Sequence, residues 1–333
     1  MRIFAFEFFS GGGLAGRPLP AGIADEGDLM LRALIDDLGE LPGIDVFTSR
    51  DPRLPPLPRI ETIVPLPGED AFALFARGLQ LADAAWPTAP ETGGTLERLA
   101  RATLARGVAL LGCAPEAVRL AASKRDTARA LRAAGVPVVP TFAPPDRLVA
   151  SPGPWITKPD DGAGCVDTEL HSTWAAARAR LMAEPARLVA QPWIDGASMS
   201  LSVVCDRGAA RLLCCNRQEV GVRGGRLSLD GLLVNAVSDR DGRLAALAGR
   251  VAAALPELWG YVGIDLLAGL DGPVVLEINP RLTTSYCGLR PALGINAAAM
   301  VVHRLGRGVG VAREWPPKRD ATVAIGLAGS HAS

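Results

Sequence analysis

No stretch of the 333-residue sequence reaches the roughly 18 to 20 uninterrupted apolar residues that a membrane span requires. The opening MRIFAFEFFSGGG carries Glu7 where a secretion signal needs an apolar run, so the sequence predicts a protein that stays in the cytoplasm and off the membrane. Net charge is missing as well. The 35 basic residues are balanced by 35 acidic ones, which leaves no global field to hold nucleic acid or an acidic surface, and any phosphate binding must be local. The six cysteines, Cys113, Cys165, Cys205, Cys214, Cys215 and Cys287, include no CxxC pair and no neighbouring histidine cluster. A disulfide framework and a zinc site are therefore not indicated, and the thiols read as buried. Only His171, His303 and His331 occur, none beside a nucleophile motif, which argues against a Ser-His-Asp hydrolase. Internal repeats are absent too.

What is present is an ordinary globular composition, 49% hydrophobic and 21% charged, long enough for two or three units of roughly 100 to 200 residues. Arg2 to Phe9 reads as a buried strand ending in the glycine turn Ser10 to Gly13. Leu29, Met30, Leu34, Ile35 and Leu38 recur at helical spacing, and Ile44 to Phe47 reads as the next strand. A strand at Glu61 to Pro65, a helix from about Asp70 to Ala82 and the stretch Asp83 to Trp86 continue the alternation, which predicts an open α/β sheet. From Pro115 the pattern becomes α+β. Helices are expected over Glu116 to Leu120, Lys124 to Ala133 and Thr173 to Ala183. Strands are expected at Trp155 to Lys158, Arg187 to Gln191, Ser200 to Asp206, Arg211 to Arg217, Tyr261 to Ala268 and Val274 to Ile278. The division expected is 1–112, 113–190, 191–315 and a tail of 316–333 with no clear period.

The strongest chemical signal is Gly260 to Leu266 followed, after the turn Asp271-Gly272, by Val274 to Arg281. On two strands of one hairpin, Glu277 and Asn279 share a face because they are two apart, and Asp265 can face the same side. Three hard oxygen donors suit magnesium, which takes one or two carboxylates together with substrate phosphates and water. The plain alternative is a polar solvent face. It is disfavoured because Glu277 and Asn279 alternate with Leu276 and Ile278 and run into Pro280-Arg281, where a guanidinium can grip phosphate.

A second signal is Ile156-Thr157-Lys158 leading into Pro159-Asp160-Asp161-Gly162-Ala163-Gly164-Cys165, a strand lysine at the mouth of a glycine loop whose amides can cradle an anion. Alone, such a loop is as well explained by turn chemistry. Lys124, at a helix start, reads by itself as a surface charge. The order of the elements carries more than any one of them: Lys124, Gly135-Val136-Pro137, Lys158 with its loop, Gln191-Pro192-Trp193-Ile194, then Asp265, Glu277 and Asn279.

This order resembles the ATP-grasp superfamily over roughly 115–311. The resemblance implies an α/β N-terminal domain followed by an α+β ATP-grasp fold whose two subdomains clamp ATP. It places Lys124 and Lys158 on the phosphates, and Gln191, Pro192, Trp193 and Ile194 against adenine. Asp265, Glu277 and Asn279 would hold two metal ions, Mg2+ with Mn2+ the alternative. One departure is Ser198, which stands where many members place a glutamate on the ribose hydroxyls. Glu7 with Ser10 to Gly13, Pro90-Glu91-Thr92-Gly93-Gly94-Thr95-Leu96, and Glu277 to Ser285 look like the tyramine–glutamate ligases within that superfamily. That likeness implies joining the γ-carboxyl of L-glutamate to tyramine or tyrosine in methanofuran or methylofuran assembly.

The chemistry so implied is carboxylate activation as an acyl phosphate, followed by attack of an amine, with Lys158 and Arg281 stabilising the transferred phosphoryl group. The Asp160 to Gly164 loop and the glycine-rich stretch Gly221 to Gly231 are the expected lids. Substrate contacts are expected from Glu7, Ser10, Arg217, Thr283, Thr284 and Ser285, with capping, turn and surface ion-pair roles as the alternatives. The expected partners are a small-molecule acid and amine, with a homodimer open. Three rival readings stand beside this one. A dinucleotide-binding oxidoreductase fits poorly, because Phe4 to Gly13 lacks GxGxxG spacing. A non-catalytic ATP-binding protein and an ATP-grasp ligase for another pair of substrates are the others.

Overall fold

Alternation within β1 (Arg2–Glu7) sets the first layer: Phe4 and Phe6 are buried on one face, Ile3 and Ala5 on the other. The computed structural model describes residues 1–144, 146, 152–162, 164–305 and 316–326. α1 (Ala21–Gly39) covers the Ile3 and Ala5 face with Leu31, Leu34, Ile35 and Leu38. After β2 (Asp45–Ser49) and β3 (Glu61–Ile63), α2 (Ala71–Leu79) starts on Asp70, whose carboxylate accepts from the Phe72 and Ala73 amides. α2 buries Phe75 with its ring centroid 4.9 Å from that of Phe6. Gly78 lets the helix approach, since a Cβ there would lie 2.2 Å from the Phe4 ring.

β4 (Ala84–Thr88), a 3-10 turn over Thr92–Gly94, α3 (Thr95–Ala105) and β5 (Ala109–Leu110) complete this layer. Every pairing is parallel, in the order β3-β2-β1-β4-β5. Parallel pairing puts the carboxyl ends of β1, β2 and β4 on one edge, so Glu7, Ser49 and Thr88 gather there. The open α/β sheet expected from the sequence is present.

α4 (Pro115–Ala122) and α5 (Lys124–Ala133) follow, the second started by Ser123, whose side chain accepts from the Asp126 amide. β6 (Trp155–Pro159), β7 (Glu169–His171), α6 (Trp174–Ala183) and β8 (Leu188–Pro192) come next. β9 (Ala197–Asp206), β10 (Ala209–Arg223), β11 (Arg226–Val237), α7 (Arg243–Ala254), β12 (Gly260–Gly269) and β13 (Gly272–Asn279) form the long antiparallel part. α8 (Tyr286–Leu293), α9 (Ala297–Val302) and β14 (Val323–Ile325) close the described chain. The sheet runs β13-β12-β9-β10-β11-β7-β6-β8, with β14 on β11. The β11–β7 junction rests on the single pairing Arg226 with Glu169. No helix among the described residues is long and apolar enough to cross a membrane.

Several expectations need correction. Gly221 to Gly231, an expected lid, forms the end of the β10–β11 hairpin, turning at Gly224-Gly225, both with positive φ. Gly221 and Gly231 are strand positions where a Cβ would collide with the Asp230 and Glu219 side chains across the ladder. Arg217 does not end a strand. It sits mid-β10, exposed, beside a register shift. The tail is not patternless throughout, because β14 pairs antiparallel with β11. Of the thiols, Cys165 and Cys287 are only half-buried. α3, α7, α8 and α9 had no counterpart in the sequence reading. Ala163 of the expected lid, the 306–311 end of the resembling region, His331 and most of the tail lie outside the described residues.

Candidate functional site

The β12–β13 hairpin pairs Asp265 with Glu277, and Gly263 with Asn279, so all three expected metal ligands rise from one face. Asn279 Nδ2 donates to Asp265 Oδ2 at 3.0 Å, and the free oxygen of the amide completes a set of hard donors. Among the described residues no group of three or more His, Cys, Asp and Glu side chains forms a metal cluster. Two carboxylates and an amide are what a magnesium ion takes when phosphate and water supply its other ligands.

Two lysines converge on one of these carboxylates. Lys124 Nζ stands 3.4 Å from Glu277 Oε2, and Lys158 Nζ stands 4.0 Å from the same oxygen. Lys158 comes from β6 and Lys124 from the first turn of α5, and both are buried. Lys124 also donates to the Asp160 carbonyl at 3.3 Å and to the Gly162 carbonyl, which ties the helix start to the glycine loop. Burial pushes the Lys158 ammonium down to about 8, against the pull of Glu277 and with the help of Lys124. For Asp265, burial and then the neighbouring Glu277 carboxylate raise the affinity for a proton. Burial would raise Glu277 too, but the two ammonium groups outweigh it and hold that carboxyl low.

These groups line a cleft of about 610 Å³ between β6, β8 and the β9–β13 face. Gln191, Pro192, Trp193, Ile194, Ser198 and Arg217 line the same cleft. Its apolar walls come from Val139, Ile156, Leu267 and Leu276. Two of the expected nucleotide contacts are already engaged. Gln191 Nε2 donates to Thr141 Oγ1 at 2.8 Å, and the Trp193 amide donates to the Pro154 carbonyl at 2.9 Å. Neither bond involves the Trp193 carbonyl or Ile194.

Gln218, absent from the sequence reading, holds the cluster together. Its Nε2 donates to Asp265 Oδ1 at 3.0 Å and its Oε1 accepts from Ser198 Oγ at 2.8 Å. Strand alternation was the available signal. Asn216 and Gln218 lie on the same side of the strand, while Arg217 between them is exposed.

The remaining expected residues form a separate group at the edge of the parallel sheet. Arg281 does not line the cleft. Its Nε and Nη2 donate to the two oxygens of Glu91 at 2.9 and 3.1 Å, and its Nη1 to the Leu282 carbonyl at 3.0 Å. Thr283 and Ser285 turn toward the sheet and share short hydroxyl contacts with Tyr261. Thr284 turns the other way and donates to Glu26 of α1. Glu7 accepts from the amide and hydroxyl of Ser10, each at 2.7 Å. The two groups are bridged by the turn after β4. Thr92 Oγ1 donates to the Asp161 carbonyl at 2.8 Å and the Gly93 amide to Asp161 Oδ2 at 3.1 Å, while Glu91 next to them holds Arg281.

Comparison with known proteins agrees with this layout. Residues 121–285 match the model of an ATP-grasp domain, and residues 44–118 match that of a pre-ATP-grasp domain. The tyramine–L-glutamate ligase of Methanocaldococcus jannaschii is 29% identical over 211 residues, which take in 62% of this chain and 58% of that relative. An ATP-grasp superfamily protein from Archaeoglobus fulgidus superposes with a TM-score of 0.74 at 23% identity, over 98% of this chain and 92% of the other. An L-amino acid ligase from Bacillus licheniformis superposes with a TM-score of 0.63 at 17% identity, over 91% and 73%. These last two similarities speak for the fold.

Proposed function

The chain belongs to the ATP-grasp family, and from that premise we propose that it is an ATP-dependent carboxylate–amine ligase joining the γ-carboxyl of L-glutamate to tyramine. The observation that carries the ligase reading is the pair of buried lysines on Glu277, facing Asp265 across one hairpin inside the cleft. The identity of the acid and amine is supported by the relative from Methanocaldococcus jannaschii, whose name gives both. A role in assembly of a methanofuran-type cofactor is part of the same proposal.

In this reading Lys124 and Lys158 bind the phosphates of ATP. The backbone from Gln191 to Ile194 meets the adenine, and Ser198 stands at the ribose. Asp265, Glu277 and Asn279 would hold magnesium, which supplies neutralisation of phosphate charge when bound. The glutamate carboxylate attacks the γ-phosphorus and ADP leaves. Lys158 offsets the charge on the transferred group, and positioning with electrostatic stabilisation is most of what phosphoryl transfer asks of a protein. The amine then attacks the acyl carbon and phosphate leaves. The Asp160 to Gly164 loop, held by Lys124 and Thr92, keeps water from the acyl phosphate.

The test is ADP release from MgATP with L-glutamate and a panel of amines offered singly, with product mass measured in parallel. ADP and a condensed product only with glutamate and tyramine is the expected result. Release with another pair would keep the ligase and replace its substrates. Release with no pair would leave a nucleotide-binding protein.

A further inference from the structure

Outside the cleft, buried charge collects at the carboxyl edge of the parallel sheet. Arg281 lies within electrostatic reach of Glu91, Glu26, Glu277 and Glu7. Glu91 alone pairs with its guanidinium. Glu26 has the Thr284 hydroxyl, and Glu7 has the two donors of Ser10. Three carboxylates on the sheet side, Glu7 and Glu91 buried and Glu26 half-buried, thus face one cation, a surplus of negative charge where charges are expected to be matched. Burial pushes the Glu7 carboxyl up to about 6, against the Ser10 and Phe9 hydrogen bonds and the Arg281 charge that pull it down.

A second, independent observation lies beside Glu7. Thr88 stands in register with it on β4, as Trp86 does with Ala5 and Ala84 with Ile3, so Thr88 and Glu7 point to the same side of the sheet. Thr88 is 3% exposed, and its hydroxyl oxygen finds no partner among the described residues. Buried hydroxyls are nearly always hydrogen-bonded, so one left open beside an uncompensated carboxylate marks a place for a missing donor.

We propose that this edge binds the ammonium group of the amine substrate, with Glu7 and Glu26 supplying opposite charge, Thr88 Oγ1 an acceptor, and the Arg281–Glu91 pair the wall toward the cleft. A primary ammonium brings both the positive charge and the N–H donors that the site lacks, whereas a carboxylate would meet like charge on three sides. The location suits the reaction. Arg281 follows Asn279 by two residues and feels Glu277, so an amine held at this edge borders the cleft in which the acyl phosphate forms. This inference rests on the ligase reading above.

The experiment is steady-state kinetics of Glu26→Gln and Thr88→Val against the parent chain. Tyramine is varied, or whichever panel amine drives ADP release, and MgATP and L-glutamate are then varied in turn. At least a tenfold rise in the KM for the amine in Glu26→Gln, with the KM for MgATP and glutamate within twofold, is expected. Thr88→Val removes only the unpartnered hydroxyl from a buried position. It should raise the amine KM several-fold with no fall in melting temperature, a split that a purely structural hydroxyl would not give. Unchanged amine KM in both variants, or a rise confined to glutamate, overturns the assignment. Absence of turnover with any amine in the parent chain removes the ligase reading itself, and the inference with it.

Discussion

Glu277 and Asp265 stand directly opposite each other on adjacent antiparallel strands, and among the described residues only Glu277 has ammonium groups within 4.0 Å. The two carboxylates consequently differ in proton affinity although they occupy equivalent positions in the ladder. Much of what the proposed reaction requires follows from that asymmetry, since the lysines are held ready for phosphate by the same residue that would hold the metal.

Lys158→Ala should reduce ADP release by a factor of 100 or more while leaving the melting temperature within a few degrees. Phosphoryl transfer loses a positioned charge, and the fold loses only a group that is costly to bury. A near-normal rate would take Lys158 out of the site. Single-turnover measurement of ADP separates this effect from one on product release.

Gln218→Leu removes the donor to Asp265 Oδ1 and the acceptor of Ser198 Oγ while keeping the volume. The expected result is a roughly tenfold higher magnesium concentration for half-maximal ADP release, in the range found when groups that orient metal ligands are removed. Titrating MgCl2 at saturating ATP reads it directly, and an unshifted midpoint would make Gln218 a packing residue.

Glu7 gives a pH dependence with a definite sign. Its folded-state carboxyl is raised to about 6 from 4.5, so the folded chain holds the proton longer than the unfolded one, and stability falls as pH rises between those values. At about 1.4 kcal/mol per pKa unit the loss is on the order of 2 kcal/mol. Glu7→Gln should therefore gain stability over the parent chain at pH 7.5 relative to pH 4.5. Urea denaturation at the two pH values is the measurement, and a gap that does not change with pH would show that Glu7 titrates normally.

Gly27 of α1 makes room for that carboxylate, since a Cβ there would lie 2.4 Å from Glu7 Oε2. Gly27→Ala should destabilise by about 1 to 3 kcal/mol, the usual cost of overpacking. It should do so in spite of alanine's better helix propensity. Thermal denaturation compared with Gly39→Ala, where nothing lies within 4 Å of the added Cβ, isolates the collision from the propensity.

How legible all this was in the sequence depended on distance along the chain. Asp265, Glu277, Asn279 and Lys158 could be read because each sits in a short strand whose apolar neighbours alternate around it, and period two fixes the facing side. Gln218 escaped because a charged arginine next to it drew attention and a register shift breaks the pattern there. Glu26 and Glu91 take their meaning from Thr284 and Arg281, which follow them by more than a hundred residues, and no local pattern reports such a pairing. α3 and α7 have no counterpart in the sequence reading although each buries one face at helical spacing, Leu96, Leu99 and Thr103 in α3 and Leu244, Leu247 and Val251 in α7. The β10–β11 hairpin was hidden by glycines that read as loop but are strand positions facing bulky neighbours. Gln191 to Ile194 line the cleft, while the engagement of Gln191 by Thr141 and of the Trp193 amide by Pro154 needed the folded chain.

The turn after β4 has one further consequence. Glu91 grips the arginine that follows β13, and Thr92 and Gly93 grip Asp161 of the glycine loop, so three consecutive residues of the first sheet layer clasp two parts of the second. Neither part can be displaced by more than hydrogen-bond reach without pulling on the other. The turn acts as a tie-rod: the interval between loop and arginine is set by a stiff piece of backbone that belongs to neither, and the spacing of the two half-sites is built into the parallel sheet.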